Sequence, residues 1–114
     1  MNDEPLKRQI QSVLERHQGR RNAIKRRELR QVLELPLSQD RKLRLLIAEL
    51  RHEGTPIMFA TDRPAGYYVP ESLLELKEGM DKLRSYIKDE CWVLRDLKIK
   101  GAQYLAGQTQ GILL

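Results

Sequence analysis

Apolar positions along the first seventy residues form three helical stripes followed by two short alternating runs. Leu6, Ile10, Val13 and Leu14 fall at i, i+4, i+7 and i+8, one face of an amphipathic helix. Pro5 suits its first turn, Asp3 and Glu4 suit the positive end of its dipole, and His17-Gln18-Gly19 closes it. Asn22-Ala23-Ile24 is a short apolar link with room for one small strand. Leu29, Val32 and Leu33 mark a second helix from about Lys25 to Leu35, stopped by Pro36. Ser38 is a suitable N-cap for a third, running to about Glu53 and closed by Gly54, with Leu43, Leu46, Ile47 and Leu50 inward. Its opposite face centres on Arg41, Leu45, Ala48 and His52, flanked by Lys42, Arg44 and Arg51.

After Gly54 the period changes. Pro56-Ile57-Met58-Phe59-Ala60 and Gly66-Tyr67-Tyr68-Val69 are β-prone runs joined by Thr61-Asp62-Arg63-Pro64-Ala65, which reads as a hairpin. From Pro70-Glu71-Ser72 onward, apolar residues step by three and four. Leu73, Met80, Ile87 and Leu94 take the a sites of a heptad, and Leu76, Leu83, Glu90 and Leu97 take d. A helix of about 28 residues would reach roughly 42 Å, longer than a small domain's core is wide, so its stripe calls for a partner. Glu90 and the mid-helix Gly79 interrupt the pattern. Three units follow: 1–70, a long amphipathic helix over 71–100 for dimerisation, and a flexible tail over 101–114.

Charge sharpens this picture. The 114 residues carry 21 Lys+Arg and 16 Asp+Glu, a net charge of +5. Residues 1–70 hold 14 of the basic and 9 of the acidic groups, whereas 71–114 hold 7 of each, so the excess belongs to the first part. Arg16, Arg20, Arg21, Lys25, Arg26, Arg27 and Arg30 crowd into 15 positions. Such a cluster attracts polyanions by Coulomb force and counterion release, though solvated helix faces are also built this way.

Three helices, a hairpin and a further helix, with the third helix basic outside, is the order of a winged helix-turn-helix. The expected fold is therefore mainly α with a β-hairpin wing, an α+β arrangement followed by a long C-terminal helix. In that arrangement Arg41, Lys42 and Arg44 enter a duplex major groove. Lys25, Arg26, Arg27 and Arg30 lie against phosphates, and Arg63 at the hairpin tip reaches the adjacent backbone or minor groove. Leu45 has two roles open to it, a thymine methyl or the last helix. Tyr67 and Tyr68 read as hairpin core rather than a stacking platform, which disfavours RNA.

Four local stretches resemble small winged-helix proteins of bacterial phages and prophages. They are Asn22-Ala23-Ile24, the run Arg41-Lys42-Leu43-Arg44, Leu50-Arg51-His52-Glu53-Gly54-Thr55-Pro56-Ile57, and Gly66-Tyr67-Tyr68. In that family NAI, a second helix, a Ser-capped helix carrying arginines, LRxxGxPI, GYY and a helical segment succeed one another. The likeness covers residues 5–100 and is strongest from Asn22 to Tyr68. It implies double-stranded DNA binding in transcription regulation or replication of a mobile element, by a homodimer paired through Leu73, Leu76, Met80, Leu83, Ile87, Leu94 and Leu97. Winged helices also serve as assembly adaptors, and then 71–100 would hold a protein partner.

Other classes find little support. No Gly-rich phosphate loop, HExxH or GxSxG is present, and Asp89-Glu90 diverge by about 100° on a helix, so an enzyme is not expected. One cysteine and two histidines make neither a disulfide framework nor a zinc site, and no cofactor or metal is implied. Cys91 reads as a small apolar contact beside the seam. The polar N-terminus and the absence of an apolar run of about 20 residues point to a cytoplasmic protein outside membranes.

Overall fold

The computed structural model describes residues 3–62 and 64–113, the last six by backbone alone. The architecture is mainly helical with one two-stranded antiparallel sheet and a long C-terminal helical stretch. In chain order it comprises α1 (Glu4–Glu15), α2 (Arg26–Val32), α3 (Asp40–Glu53), β1 (Met58–Ala60), β2 (Gly66–Tyr68), α4 (Leu73–Asp96) and α5 (Ala102–Leu113). One 3₁₀ turn precedes α2 and another precedes α3, and a π turn, Leu97–Gly101, links α4 to α5. The chain divides into two compact units, Met1–Gly79 and Met80–Leu114.

The first unit owns the core. Ile10, Val13 and Leu14 of α1, Leu29 of α2, and Leu43, Leu46, Ile47 and Leu50 of α3 bury together with Ile24, Ile57 and Tyr67. The inward stripes expected of α1 and α3 are thus the buried ones. Their removal from water is the main source of stability for a unit of this size.

Helix ends are where the structure departs from the sequence pattern. α1 stops at Glu15, short of His17-Gly19, because the chain beyond is drawn into strand-like pairing. The Val69 amide donates to the His17 carbonyl at 2.9 Å, and the Gly19 amide donates to the Val69 carbonyl at 2.8 Å. α2 is shorter than expected and ends at Val32. The Leu35 amide donates to the Arg30 carbonyl at 2.8 Å and the Glu34 amide to Gln31 at 3.1 Å, a Schellman closure. Glu34 occupies its left-handed position with φ 56°. The same closure ends α3, where Gly54 has φ 113° and the Thr55 amide reaches the Leu50 carbonyl at 2.9 Å. Ser38 does not cap α3. It lies inside the 3₁₀ turn Leu37–Gln39, whose own backbone bonds continue into the helix, and Asp40 takes the first helical place.

β1 and β2 pair in the register Met58↔Tyr68, Phe59↔Tyr67 and Ala60↔Gly66. Ile24 adds a single bridge on the far side of β2, exchanging bonds of 2.9 and 2.8 Å with Tyr67. Gly66 is required there: a Cβ on it would stand 2.2 Å from the Ile24 carbonyl oxygen. Gly79, which broke the heptad pattern, faces the hairpin, where a Cβ would approach Met58 Cε to 2.3 Å and Tyr68 Oη to 3.3 Å.

Over its described residues the second unit is helical, and none of the side chains described there is buried. The segment expected as a flexible tail continues as α5, since alanine, leucine and glutamine favour helix enough to carry Gly107.

Candidate nucleic-acid interface

α3 is electrically divided. Its first two turns carry Arg41, Lys42 and Arg44 against Asp40, whereas its last two carry Glu49 and Glu53 against Arg51. Arg51 is committed to structure, donating from Nε to the Ile57 carbonyl at 2.6 Å. Arg41 is exposed and pairs with no described acidic group. Lys42 is half-exposed, with its Nζ 3.3 Å from Asp3. Arg44 lies 3.4 Å from Asp40 one turn earlier on the same helix.

Asp40 organises the site. Its carboxylate is shared by Arg26 at 3.2 Å, Arg30 at 3.7 Å and Arg44 at 3.4 Å. Three guanidinium groups around one largely buried anion leave a local excess of two positive charges where α2 meets α3. Arg26 is held more firmly protonated than an ordinary arginine, first by its hydrogen bond to the Tyr67 side chain and further by the charge of Asp40. The role of Asp40 was not read from the sequence. Its i, i+4 relation to Arg44 was visible there, but its pairing with Arg26 and Arg30 depends on how α2 crosses α3.

The remaining residues fall into two groups. Lys25 and Arg27 are exposed and unpaired among the described residues, facing solvent near the start of α2. Arg20 and Arg21 are tied down, to Asp62 at 2.7 Å and Glu71 at 3.4 Å. Arg63 lies outside the described residues. Tyr67 and Tyr68 are buried, Tyr67 meeting Phe59 edge to face with centroids 4.9 Å apart. Burial raises the Tyr68 phenol above its ordinary pKa, with help from Glu75.

Toward the end of α3 the surface changes character. Leu45, Ala48 and His52 join Lys7, Glu49 and Glu53 around an open cleft of about 490 Å³. Lys7 Nζ spans Glu4, Glu53 and Glu49 at 3.1, 3.0 and 3.5 Å, and Arg8 meets both Glu4 and Glu53 at 2.7 Å. These bonds hold the Glu4 and Glu53 carboxyls below their usual range, and Glu53 raises Lys7 in return.

The seven seam residues are divided between the units. Leu73 and the half-buried Leu76 belong to the first, and Met80, Leu83, Ile87, Leu94 and Leu97 to the second, all exposed apart from Leu76. Cys91 is an exposed free thiol beside Trp92, over which Arg95 lies at 5.4 Å.

Among the described residues no group of acidic, histidine or cysteine side chains could hold a metal ion, and no helix is long and apolar enough to cross a membrane. Comparison with known proteins yields no matching family model, no similar curated protein and no similar solved structure.

Proposed function

We propose that this chain is a winged helix-turn-helix protein that binds double-stranded DNA, with α3 in the major groove, α2 along the phosphates and the hairpin as its wing. One observation carries the reading: Arg26, Arg30 and Arg44 share Asp40 beside a solvent-facing Arg41. The positive excess therefore sits at the first turns of α3, the end that meets base edges in helix-turn-helix complexes. The acidic and apolar end of α3 suits a position away from the duplex, whose phosphates would repel Glu49 and Glu53. The element order of the first unit supports the same reading.

Pairing of two copies through residues 71–100 presents two α3 helices to two half-sites and raises affinity through effective concentration. A role in transcription regulation or replication of a phage or other mobile element follows from the resemblance alone. The second reading, an assembly adaptor holding a protein partner through residues 71–100, is favoured by the exposed apolar stripe of α4.

The test is fluorescence anisotropy of a labelled random-sequence duplex titrated at several salt concentrations. Log affinity falls with log salt by about 0.9 per phosphate contact, so several contacts give a steep line. The triple variant Arg41→Glu, Lys42→Glu, Arg44→Glu abolishes retention. Survival of binding in that variant overturns the assignment of α3, and no binding by the parent at low salt leaves the adaptor reading.

A further inference from the structure

We propose that the second unit pairs with a second copy of itself in antiparallel orientation, aligned by two symmetrical Glu90–Arg84 ion pairs. The proposal rests on the dimer reading above and adds the orientation and register. The described apolar side chains of the unit Met80–Leu114 stand in water: Leu83 is 57% exposed, Ile87 55%, Leu94 69% and Leu97 65%. Tyr86 and Val93 are also exposed and widen the stripe along one edge, while Arg84, Cys91 and Lys98 follow the other. A lone helix with this surface lacks a packed partner, which supplies most helical stability in proteins.

Charge decides what covers it. In a parallel pair, Glu90 at its d site would face Glu90 of the second copy across the seam, two like charges in an apolar layer. Antiparallel pairing sets a sites against d sites instead. One register places Met80 against Leu97 of the second copy, Leu83 against Leu94, and Ile87 against Glu90, with each layer occurring twice about the two-fold axis. Tyr86 then meets Val93 on one flank, apolar against apolar. On the other flank Arg84 meets Cys91, the residue next to Glu90 of the second copy, and its long side chain spans the roughly one turn that separates it from that carboxylate. Sliding the register by one heptad in one direction sets Arg84 against Arg84, and in the other Arg84 against Lys98, so like charges oppose both neighbours. Within one chain Arg84 pairs with Asp81 at 3.2 Å, an exposed i, i+3 contact readily exchanged for Glu90. Arg84 and Glu90 are six residues apart and do not share a helix face, so their attraction is satisfied between copies rather than within one.

Disulfide trapping in the full-length chain, with Cys91→Ser as background, tests the orientation. Mixed Leu83→Cys and Leu94→Cys proteins should oxidise to a covalent dimer joining the two variants. Leu83→Cys alone should not, because its two copies would lie about 16 Å apart along the axis, beyond disulfide reach. Self-linking of Leu83→Cys overturns the antiparallel arrangement while leaving the dimer intact. A parent that sediments as a monomer at micromolar concentration overturns both. The charge pair is tested by sedimentation equilibrium: Glu90→Arg and Arg84→Glu should each weaken the dimer about tenfold, since each creates two like-charge contacts, and the double swap should restore it. Failure of the double swap to recover affinity overturns the ion pair.

Discussion

Arg30 Nε and Asp40 Oδ1 stand 3.7 Å apart, both buried, and neither makes a hydrogen bond. The carboxylate is thus spread over three cations rather than committed to one, and phosphate oxygens could compete for those cations. Asp40→Asn is expected to weaken the fold by on the order of 1–2 kcal/mol, since Arg30, the one largely buried arginine of the three, loses its counter-charge. Duplex affinity should rise several-fold in the same variant, with a salt slope steeper by about one contact. Thermal melting and anisotropy read the two effects separately, and an unchanged affinity would place these arginines away from DNA.

Arg41 offers the complementary case. It is exposed and unpaired among the described residues, so Arg41→Ala should leave the melting temperature within about a degree of the parent. Removing a base or phosphate contact at the start of α3 should cost about 1–3 kcal/mol of binding. Loss of stability without loss of affinity would contradict both statements.

The two Schellman closures make opposite predictions from one geometry. Glu34 bears the left-handed strain that Gly54 avoids, so Glu34→Gly should gain stability, up to about 1 kcal/mol. Gly54→Ala should lose about 1 kcal/mol through backbone strain alone, because no atom lies within 4 Å of the added methyl. Urea titration of both variants, read at constant m, measures the pair.

Gly66 and Gly79 separate rigid from yielding neighbours. Gly66→Ala drives a methyl into the backbone of Ile24 at a left-handed φ, and a loss of more than about 3 kcal/mol is expected. At Gly79 the nearest atom is the end of the flexible Met58 side chain. There the methyl gains up to about 1 kcal/mol of helix propensity, and Gly79→Ala should be close to neutral by thermal melting.

The α1–α3 ion network gives stability a pH dependence of known sign. Glu4 and Glu53 are held below their ordinary value of 4.5, so their contribution is present above that pH and is lost as pH falls through the lowered folded values. The melting temperature should therefore drop on acidification below about pH 4.5, and Glu53→Gln should flatten that part of the profile. Lys7 is raised from 10.5, so its contribution persists through neutrality and disappears only in strong alkali.

Periodicity made the cores of α1 and α3 legible, because Ile10, Leu14, Leu43, Ile47 and Leu50 bury the faces their spacing marks. Gly54 and the strand pairing around Tyr67 were legible for the same local reasons. What stayed hidden depends on tertiary placement. The early end of α1 follows from Val69 reaching back to His17 and Gly19, and the hub at Asp40 follows from the crossing of α2 over α3. Gly79 looked like a flaw in a heptad and is instead where a helix passes close to Met58. Within the candidate interface, sequence spacing selected the exposed Arg41 but could not show that Arg20 and Arg21 are already engaged by acidic neighbours.

The π turn at Leu97–Gly101 changes which residues continue the apolar stripe. In an unbroken α-helix Gly101 and Tyr104 would follow Leu94 and Leu97 along it. A π turn takes up about one extra residue, so the helix beyond it is rephased and those places pass to Ala102 and Leu105. The turn thus acts as a one-residue vernier, trading a glycine and a tyrosine for an alanine and a leucine. Deleting a single residue between 97 and 101 would leave the sequence's composition almost intact and yet let a regular helix reach the same alignment without the bulge.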